Sequence, residues 1–283
     1  MILFKKATDL RKWVDAQSKK GNSIAFVPTM GALHAGHISL IDAASKENQV
    51  TISSIFVNPT QFNDLKDFEK YPITIEKDIE MLEAAGCNVL FLPSVKEIYP
   101  EGIKPEMQYE LGYIETILEG KFRPGHFQGV CMVVHRLLDI VQPDNLYLGQ
   151  KDYQQCMVIS KLVELINQQD TIKVNICPTL REKDGLAMSS RNMRLNEDER
   201  KLAAIIYRCL SYIKEHTGKQ SVNDIKKQTQ SMLEEAGLRV DYVEIAEAKH
   251  LSPITTWDEK EKAVALIAAF MNEVRLIDNM LLN

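Results

Sequence analysis

The stretch Phe26-Val27-Pro28-Thr29-Met30-Gly31-Ala32-Leu33-His34-Ala35-Gly36-His37 decides how this chain folds. The apolar run at residues 24–27 predicts a buried strand, and Pro28, which lacks an N–H, is read as its end. Gly31 and Gly36 permit a tight turn, because glycine takes positive φ and lets other groups come close. From Gly36 onward the period is helical, with Ile38, Leu40, Ile41 and Ala44 on one face. His34 and His37 therefore fall where a strand gives way to a helix N-terminus. Backbone N–H groups and the helix dipole favour phosphate at such a place, and two imidazoles can add donors to it.

Other roles fit the same pair. Histidines can cap a helix or lie on its surface. Zinc needs three or four ligands, and no Cys or His cluster is near. Gly31 and Gly36 have P-loop spacing, but His37-Ile38 stands where Lys-Ser/Thr is required. His-Ala-Gly-His behind a strand and opening a helix resembles the HxGH signature of the nucleotidylyltransferase superfamily. That superfamily includes class I aminoacyl-tRNA synthetases and related adenylate-forming ligases.

Working outward, residues 1–177 alternate strand and helix. Strands are predicted at 24–27, 50–57, 89–92, 145–148 and 173–177, and helices at 38–46, 75–85, 130–141 and 153–166. This alternation predicts a parallel sheet with helices on both faces, whose ligands bind beyond the carboxyl ends of the strands. The rhythm changes after Pro178. Asn196 and Glu199 form a capping-box pattern before one long helix ending near Gly218. Ser221 caps a second helix that stops at Gly237, and strands follow at 239–246, 263–270 and 273–276. The second part, 178–283, therefore reads as a smaller α+β domain.

Composition narrows the function. The chain has 283 residues, 45% hydrophobic and 26% charged, with a net charge of -5, so a protein gripping a long nucleic acid is disfavoured. The five cysteines are odd in number and lack CxxC spacing, which fits reduced thiols and a cytoplasmic protein. No run of about 18 apolar residues is present, so no membrane span is expected, and the N-terminus has no signal-peptide pattern.

Four further stretches carry polar chemistry. Asn58 and Gln61 follow an apolar run, and they read either as an Asn-Pro turn or as carboxamides that orient a polar substrate. Lys121, Arg123 and His126 crowd a glycine-rich loop, which is either solvated or an anion rim. Gly149-Gln150-Lys151-Asp152 joins a strand to a helix from whose first turn Gln155 projects. A lysine there opposes the helix dipole unless an anion compensates it. Met188-Ser189-Ser190-Arg191 offers two hydroxyls and a guanidinium for phosphate oxygens. Beside the histidine pair it resembles the KMSKS loop of the same superfamily.

Taken in order and spacing, these stretches closely resemble the pantothenate synthetase (pantoate–beta-alanine ligase) family over essentially the whole chain, including Asp241-Tyr-Val-Glu-Ile. The resemblance implies a Rossmann-like, doubly wound first domain at 1–177, a C-terminal domain at 178–283, and a homodimer. It implies ATP with Mg²⁺, and the condensation of (R)-pantoate with beta-alanine through a pantoyl adenylate, releasing AMP and pyrophosphate. By position, it implies nucleotide contacts from Met30, Gly31, Ala32, Leu33, His34, Ala35, Gly36, His37, Gly149, Gln150, Lys151, Asp152, Leu180, Met188, Ser189, Ser190 and Arg191. His37, His34 and Lys151 would be catalytic, and Gln61, Gln155 and Asn58 would hold substrate. No metal ligand is assigned, since Glu76, Asp78 and Glu80 of helix 75–85 match no pattern. A nucleotidyltransferase that keeps the transferred group, or a non-enzymatic nucleotide-binding protein, would use similar motifs.

Overall fold

The computed structural model describes residues 1–62, 68–103 and 108–283. Contacts divide the chain into two compact units, Met1–Gly149 with Val158–Pro178, and Gln150–Met157 with Thr179–Asn283. This grouping differs from a division at 177/178 in two places: Gln150–Met157 goes with the second unit, and Pro178 stays with the first.

The first unit is built on six parallel strands: β1 (Ile2–Phe4), β2 (Ile24–Thr29), β3 (Val50–Ile55), β4 (Val89–Phe91), β5 (Asn145–Gly149) and β6 (Lys173–Cys177). Their spatial order is β1-β4-β3-β2-β5-β6. The chain moves outward from β2 through β3 to β4, then returns to place β5 on the other side of β2. Connections of opposite direction put their helices on opposite faces, because crossovers between parallel strands are right-handed. Thus α2 (Ala35–Glu47) packs with α3 (Ile75–Ala84), whereas α1 (Ala7–Ser18) packs with α4 (His126–Val141). The helix α5 (Tyr153–Leu165) joins β5 to β6.

β2 alternates as a doubly covered strand must. Ala25 and Val27 join the α2–α3 core with Leu40, Ile41, Ala44 and Leu82, and Ile24 and Phe26 are fully buried as well. A wholly buried side chain such as Phe26 contributes on the order of 1.5–3 kcal/mol. The strand runs two residues past the predicted end, through Pro28 to Thr29. Pairing with β5 covers Ala25 and Phe26, so at Pro28 the strand is bonded only to β3 and its missing N–H costs no second ladder. β2 and β5 flank the point where strand order reverses, the place where open α/β sheets bind ligands.

The second unit has an antiparallel sheet of β7 (Arg239–Glu247), β8 (Ala263–Met271) and β9 (Val274–Leu281), in that order. Against it lie α6 (Glu197–Ala203), α7 (Ile205–His216) and α8 (Val222–Glu235). Their apolar faces, among them Ile206, Leu210, Ile213, Ile225 and Leu233, meet Ala265, Ile267 and Leu276 of the sheet. The single helix expected after Asn196 is interrupted at Ala204, giving α6 and α7. The caps are where the sequence puts them: Asn196 and Glu199 form a reciprocal capping box, Ser221 accepts from Asp224 N at 3.1 Å, and Gly237 adopts φ +84° past α8.

Candidate functional site

The loop leaving β2 is fixed by its own histidines. His34 is the N-cap of α2: its Nδ1 accepts from Gly36 N at 3.1 Å, and His37 Nδ1 accepts from His34 N at 3.3 Å. The helix-cap reading of this pair is therefore correct as far as Nδ1 goes. It also has a chemical consequence. An Nδ1 that accepts carries no hydrogen, so in each neutral ring the proton sits on Nε2. The rings lie 4.1 Å apart between centroids. The caps thus set two imidazoles side by side in the donor tautomer at a helix N-terminus.

A buried carboxylate shapes the turn ahead of them. Asp78, on α3 and 1% exposed, accepts from Ala32 N at 2.9 Å, Leu33 N at 2.8 Å and Thr74 Oγ1 at 3.0 Å. Ala32 is held at φ +49°, beyond Gly31 at +81°, and two charge-assisted bonds stabilise that conformation. By residue type alone Asp78 stands only as a metal-ligand candidate that matches no pattern. Its signal was its place on the apolar stripe of α3 with Leu82, where a charge is buried only if it is satisfied.

The turn after β3 is equally specified. Asn58 is 1% exposed. Its amide donates to Gln61 Oε1 at 3.2 Å and Gly129 O at 3.1 Å, and its Oδ1 accepts from Tyr99 OH at 2.9 Å and Thr60 Oγ1 at 3.0 Å. The polar atoms of the amide are engaged within the protein, so Asn58 builds the turn, one of the two roles its sequence context allows, and contacts Gln61. Gln61 sits at the end of the short helix Pro59–Gln61, and its Nε2 lies 2.8 Å from Met30 Sδ. His126 Nδ1 donates to Gln61 O at 2.8 Å, and Arg123 lies 3.1 Å from His126 Nε2. Two members of the cationic loop thus support Gln61. Gly129 makes this possible, because a Cβ there would stand 2.3 Å from Thr60 O.

In the second unit, Gln150–Asp152 form a single 3₁₀ turn running into α5. Lys151 Nζ is 3.6 Å from Asp152 Oδ1, so the lysine at this helix start already has a local counter-charge, and its conflict with the dipole is weaker than the sequence suggested. Tyr153 OH donates to Ala248 O at 2.9 Å, and Gln155 is half-buried. Residues 180–188 form a tight hairpin, with Met188 N donating to Leu180 O at 3.0 Å and an isolated bridge between Arg181 and Ala187. Arg200 pins its tip through Asp184 at 2.7 Å and Glu182 at 3.2 Å. That bond holds the Asp184 carboxyl below its usual range. Ser189 then caps the 3₁₀ turn Ser190–Arg194, accepting from Arg191 N at 3.3 Å. Leu180 is exposed, and Ser190 is buried.

These groups can orient anions and neutral polar molecules. Burial raises the thiols of Cys87 and Cys209 to about 11 and of Cys131 to about 12, which leaves them un-ionised and poor nucleophiles. Among the described residues no group of three or more His, Cys, Asp or Glu could hold a metal ion, and Asp78 is spent on backbone N–H groups. The described residues therefore do not make a metal cage.

Comparison with known proteins gives a consistent picture. Residues 2–281 match the family described as pantoate-beta-alanine ligase. The chain is 45% identical to the pantothenate synthetase of Cytophaga hutchinsonii over 100% of this chain and 99% of that protein. It is 43% identical to that of Bacteroides thetaiotaomicron over 96% and 95%. Among solved structures, the pantothenate synthetase of Thermus thermophilus superposes with a TM-score of 0.91 at 39% identity, covering 99% of both chains. The pantoate-beta-alanine ligase of Francisella tularensis, complexed with beta-gamma ATP and beta-alanine, superposes with a TM-score of 0.80 at 39% identity, covering 99% and 97%.

Proposed function

The chain belongs to the pantoate–beta-alanine ligase family, and we propose that it joins (R)-pantoate to beta-alanine by way of a pantoyl adenylate. As a member of that family it is an ATP-dependent ligase. A carboxylate is a poor electrophile for an amine, so it must first be activated. One carboxylate oxygen of pantoate attacks the α-phosphorus of ATP, and the bond to the β-phosphate oxygen breaks to release pyrophosphate. The amine of beta-alanine then attacks the acyl carbon, AMP leaves with the bridging oxygen, and the amine loses a proton. Neither step needs a protein nucleophile. Both need alignment and donors for developing charge.

The observation that carries this reading is the pair of α2 cap bonds to the two Nδ1 atoms, which leave the proton of each neutral ring on Nε2. In the proposed roles, His34 and His37 donate to the phosphates as pyrophosphate departs, and Lys151 approaches the α-phosphate. Gly149, Gln150 and Asp152 contribute to nucleotide binding, as do Met30 to His37, Leu180 and Met188 to Arg191. Gln61 and Gln155 hold pantoate, with Gln61 close to beta-alanine. Asn58 acts through Gln61. Mg²⁺ arrives with the nucleotide, since it often keeps its waters and is held by substrate phosphates.

Two further readings rest on the family and the sequence. The enzyme works as a homodimer, checked by light scattering. It works in the cytoplasm, in keeping with five cysteines that are all free thiols and checked by fractionation. No helix among the described residues is long and apolar enough to cross a membrane. The reaction is tested by mass spectrometry of the products formed from ATP, pantoate and beta-alanine. The expected result is pantothenate and AMP in equal amounts, and no pantothenate without all three substrates. A product that retains the adenylyl group would replace this reading with that of a nucleotidyltransferase.

A further inference from the structure

Two neighbouring residues of β9 hold both second-unit segments assigned above to the nucleotide. Asn279 is 2% exposed. Its Nδ2 donates to Gln150 O at 2.9 Å and to Lys151 O at 2.8 Å, and its Oδ1 accepts from Gln150 Nε2 at 3.2 Å. Both amide hydrogens are thus spent on consecutive carbonyls of one turn. Such a bidentate grip fixes the direction of the turn, and with it the direction in which the Lys151 side chain leaves the backbone. One hydrogen bond alone would leave the turn able to pivot.

Asp278, 4% exposed, holds Arg181 through both carboxylate oxygens, at 2.6 and 3.1 Å, and accepts from Asn279 N at 2.8 Å. Arg181 returns a bond to Asn279 O at 3.1 Å and donates to Gly185 O at 3.1 Å, inside the hairpin that leads to Met188. Its guanidinium lies 4.8 Å from the Tyr207 ring centroid. Burial raises the Asp278 carboxyl above its ordinary value, against the pull of Arg181, the Asn279 N–H and, last, Lys151. The same pair of β9 residues therefore anchors the Lys151 turn on one side and the base of the 180–188 hairpin on the other. A strand far from either motif in sequence is the common support of both.

We propose that Asn279 is a positioning residue for Lys151, its carboxamide setting the backbone from which the lysine reaches the α-phosphate, with Asp278 and Arg181 holding Asn279 in place. This rests on the catalytic reading of Lys151. The test compares Asn279→Ala, Asn279→Ser, Lys151→Ala and the double variant Asn279→Ala/Lys151→Ala in the full-length enzyme. The readouts are pantoate-dependent pyrophosphate formation and amide exchange. Asn279→Ala should lower kcat by about ten- to a hundredfold, the effect of a misplaced reacting group, while KM for pantoate stays near wild type. On the Lys151→Ala background the further loss should shrink to less than about twofold, as for two residues acting as one unit. Exchange at residues 150–152 should speed up about tenfold, with β8 unchanged. Asn279→Ser, which keeps one short donor, should fall between wild type and Asn279→Ala, and it serves as the test if the alanine variant does not fold. A full Asn279 loss persisting beside Lys151→Ala, or unaltered exchange at 150–152, would overturn the proposal. If Lys151→Ala instead turns over like wild type, the catalytic reading of Lys151 falls, and the exchange result alone decides whether Asn279 holds the turn.

Discussion

The histidine loop of the first unit and the lysine turn of the second are held by opposite chemistry. The loop before α2 exposes N–H groups, and the carboxylate of Asp78, an acceptor only, receives those of Ala32 and Leu33. The turn at Gln150–Lys151 exposes carbonyls, and the NH₂ of Asn279, a donor only, satisfies two of them. Each support is buried and comes from far along the chain, 46 residues away for Asp78 and Ala32, and 129 for Asn279 and Gln150. The lesson is that the orphaned backbone group selects the residue type of its support. The charged acceptor makes the stronger bonds, so the histidine loop should be the stiffer of the two.

The largest expected effect separates chemistry from support. His37→Ala and His34→Ala should each lower the rate of pyrophosphate release by about 10²–10³-fold, the usual consequence of removing one transition-state donor. Each also removes a cap, so thermal unfolding should show a loss of about 0.5–2 kcal/mol. A variant that kept the wild-type rate would lose its catalytic assignment, whatever its stability.

Asp78→Asn sharpens the contrast next. The amide cannot accept two backbone N–H groups through two oxygens, so the free enzyme should lose about 1–3 kcal/mol in denaturant titration. Amide exchange should quicken at Ala32 and Leu33 and stay as it was at residues 150–152. Equal acceleration in both places would mean that the two supports are not independent.

A third substitution tests the Gln61 turn. In Gly129→Ala the new methyl meets the Thr60 carbonyl at 2.3 Å, so either α4 or the turn must shift, at about 1–3 kcal/mol. Gln61 should move with the turn. Pantoate binding, followed by calorimetry, should weaken more than ATP binding. Equal losses for both ligands would remove Gln61 from the pantoate site.

Much of this was legible from local sequence. Strand 24–27, the helix behind His34, the caps at Asn196 and Ser221 and the stop at Gly237 each follow from a few adjacent residues. Ile2–Phe4 was missed because three residues are too few to show a period. The break at Ala204 leaves no Pro or Gly to mark it. Asp78 and Asn279 could not be paired with their targets, because nothing local encodes a partner so far along the chain. At Asp78 the sequence did hold an anomaly, a carboxylate on the apolar stripe of α3, whereas Asp278 and Asn279 lie beyond the strand expected at 273–276, which runs on to Leu281 and buries them. The identity of Asn58 was read correctly as polar and well placed. The turn was one of its two legible roles, while its burial and the bond from Tyr99 are tertiary facts.

The smallest effect concerns pH. Arg200 keeps the Asp184 carboxyl below its ordinary value of 3.8, so the folded state favours the ionised form. The stabilisation of the hairpin is then fully present above that value and fades as pH falls through the lower folded value. The pair is substantially exposed, so at neutral pH Arg200→Ala should speed amide exchange in residues 180–188 by less than about threefold. The difference between the two proteins should vanish in strong acid.

The central claim is that pantoate is activated before the amine enters. Rapid-quench measurement of pyrophosphate from ATP and pantoate, without beta-alanine, tests it most directly. The predicted result is a burst of one pyrophosphate per active site, with AMP appearing only when beta-alanine is added, and with the burst strongly slowed in His37→Ala. Absence of pyrophosphate until beta-alanine is present would contradict the adenylate route and the role assigned to the histidine loop.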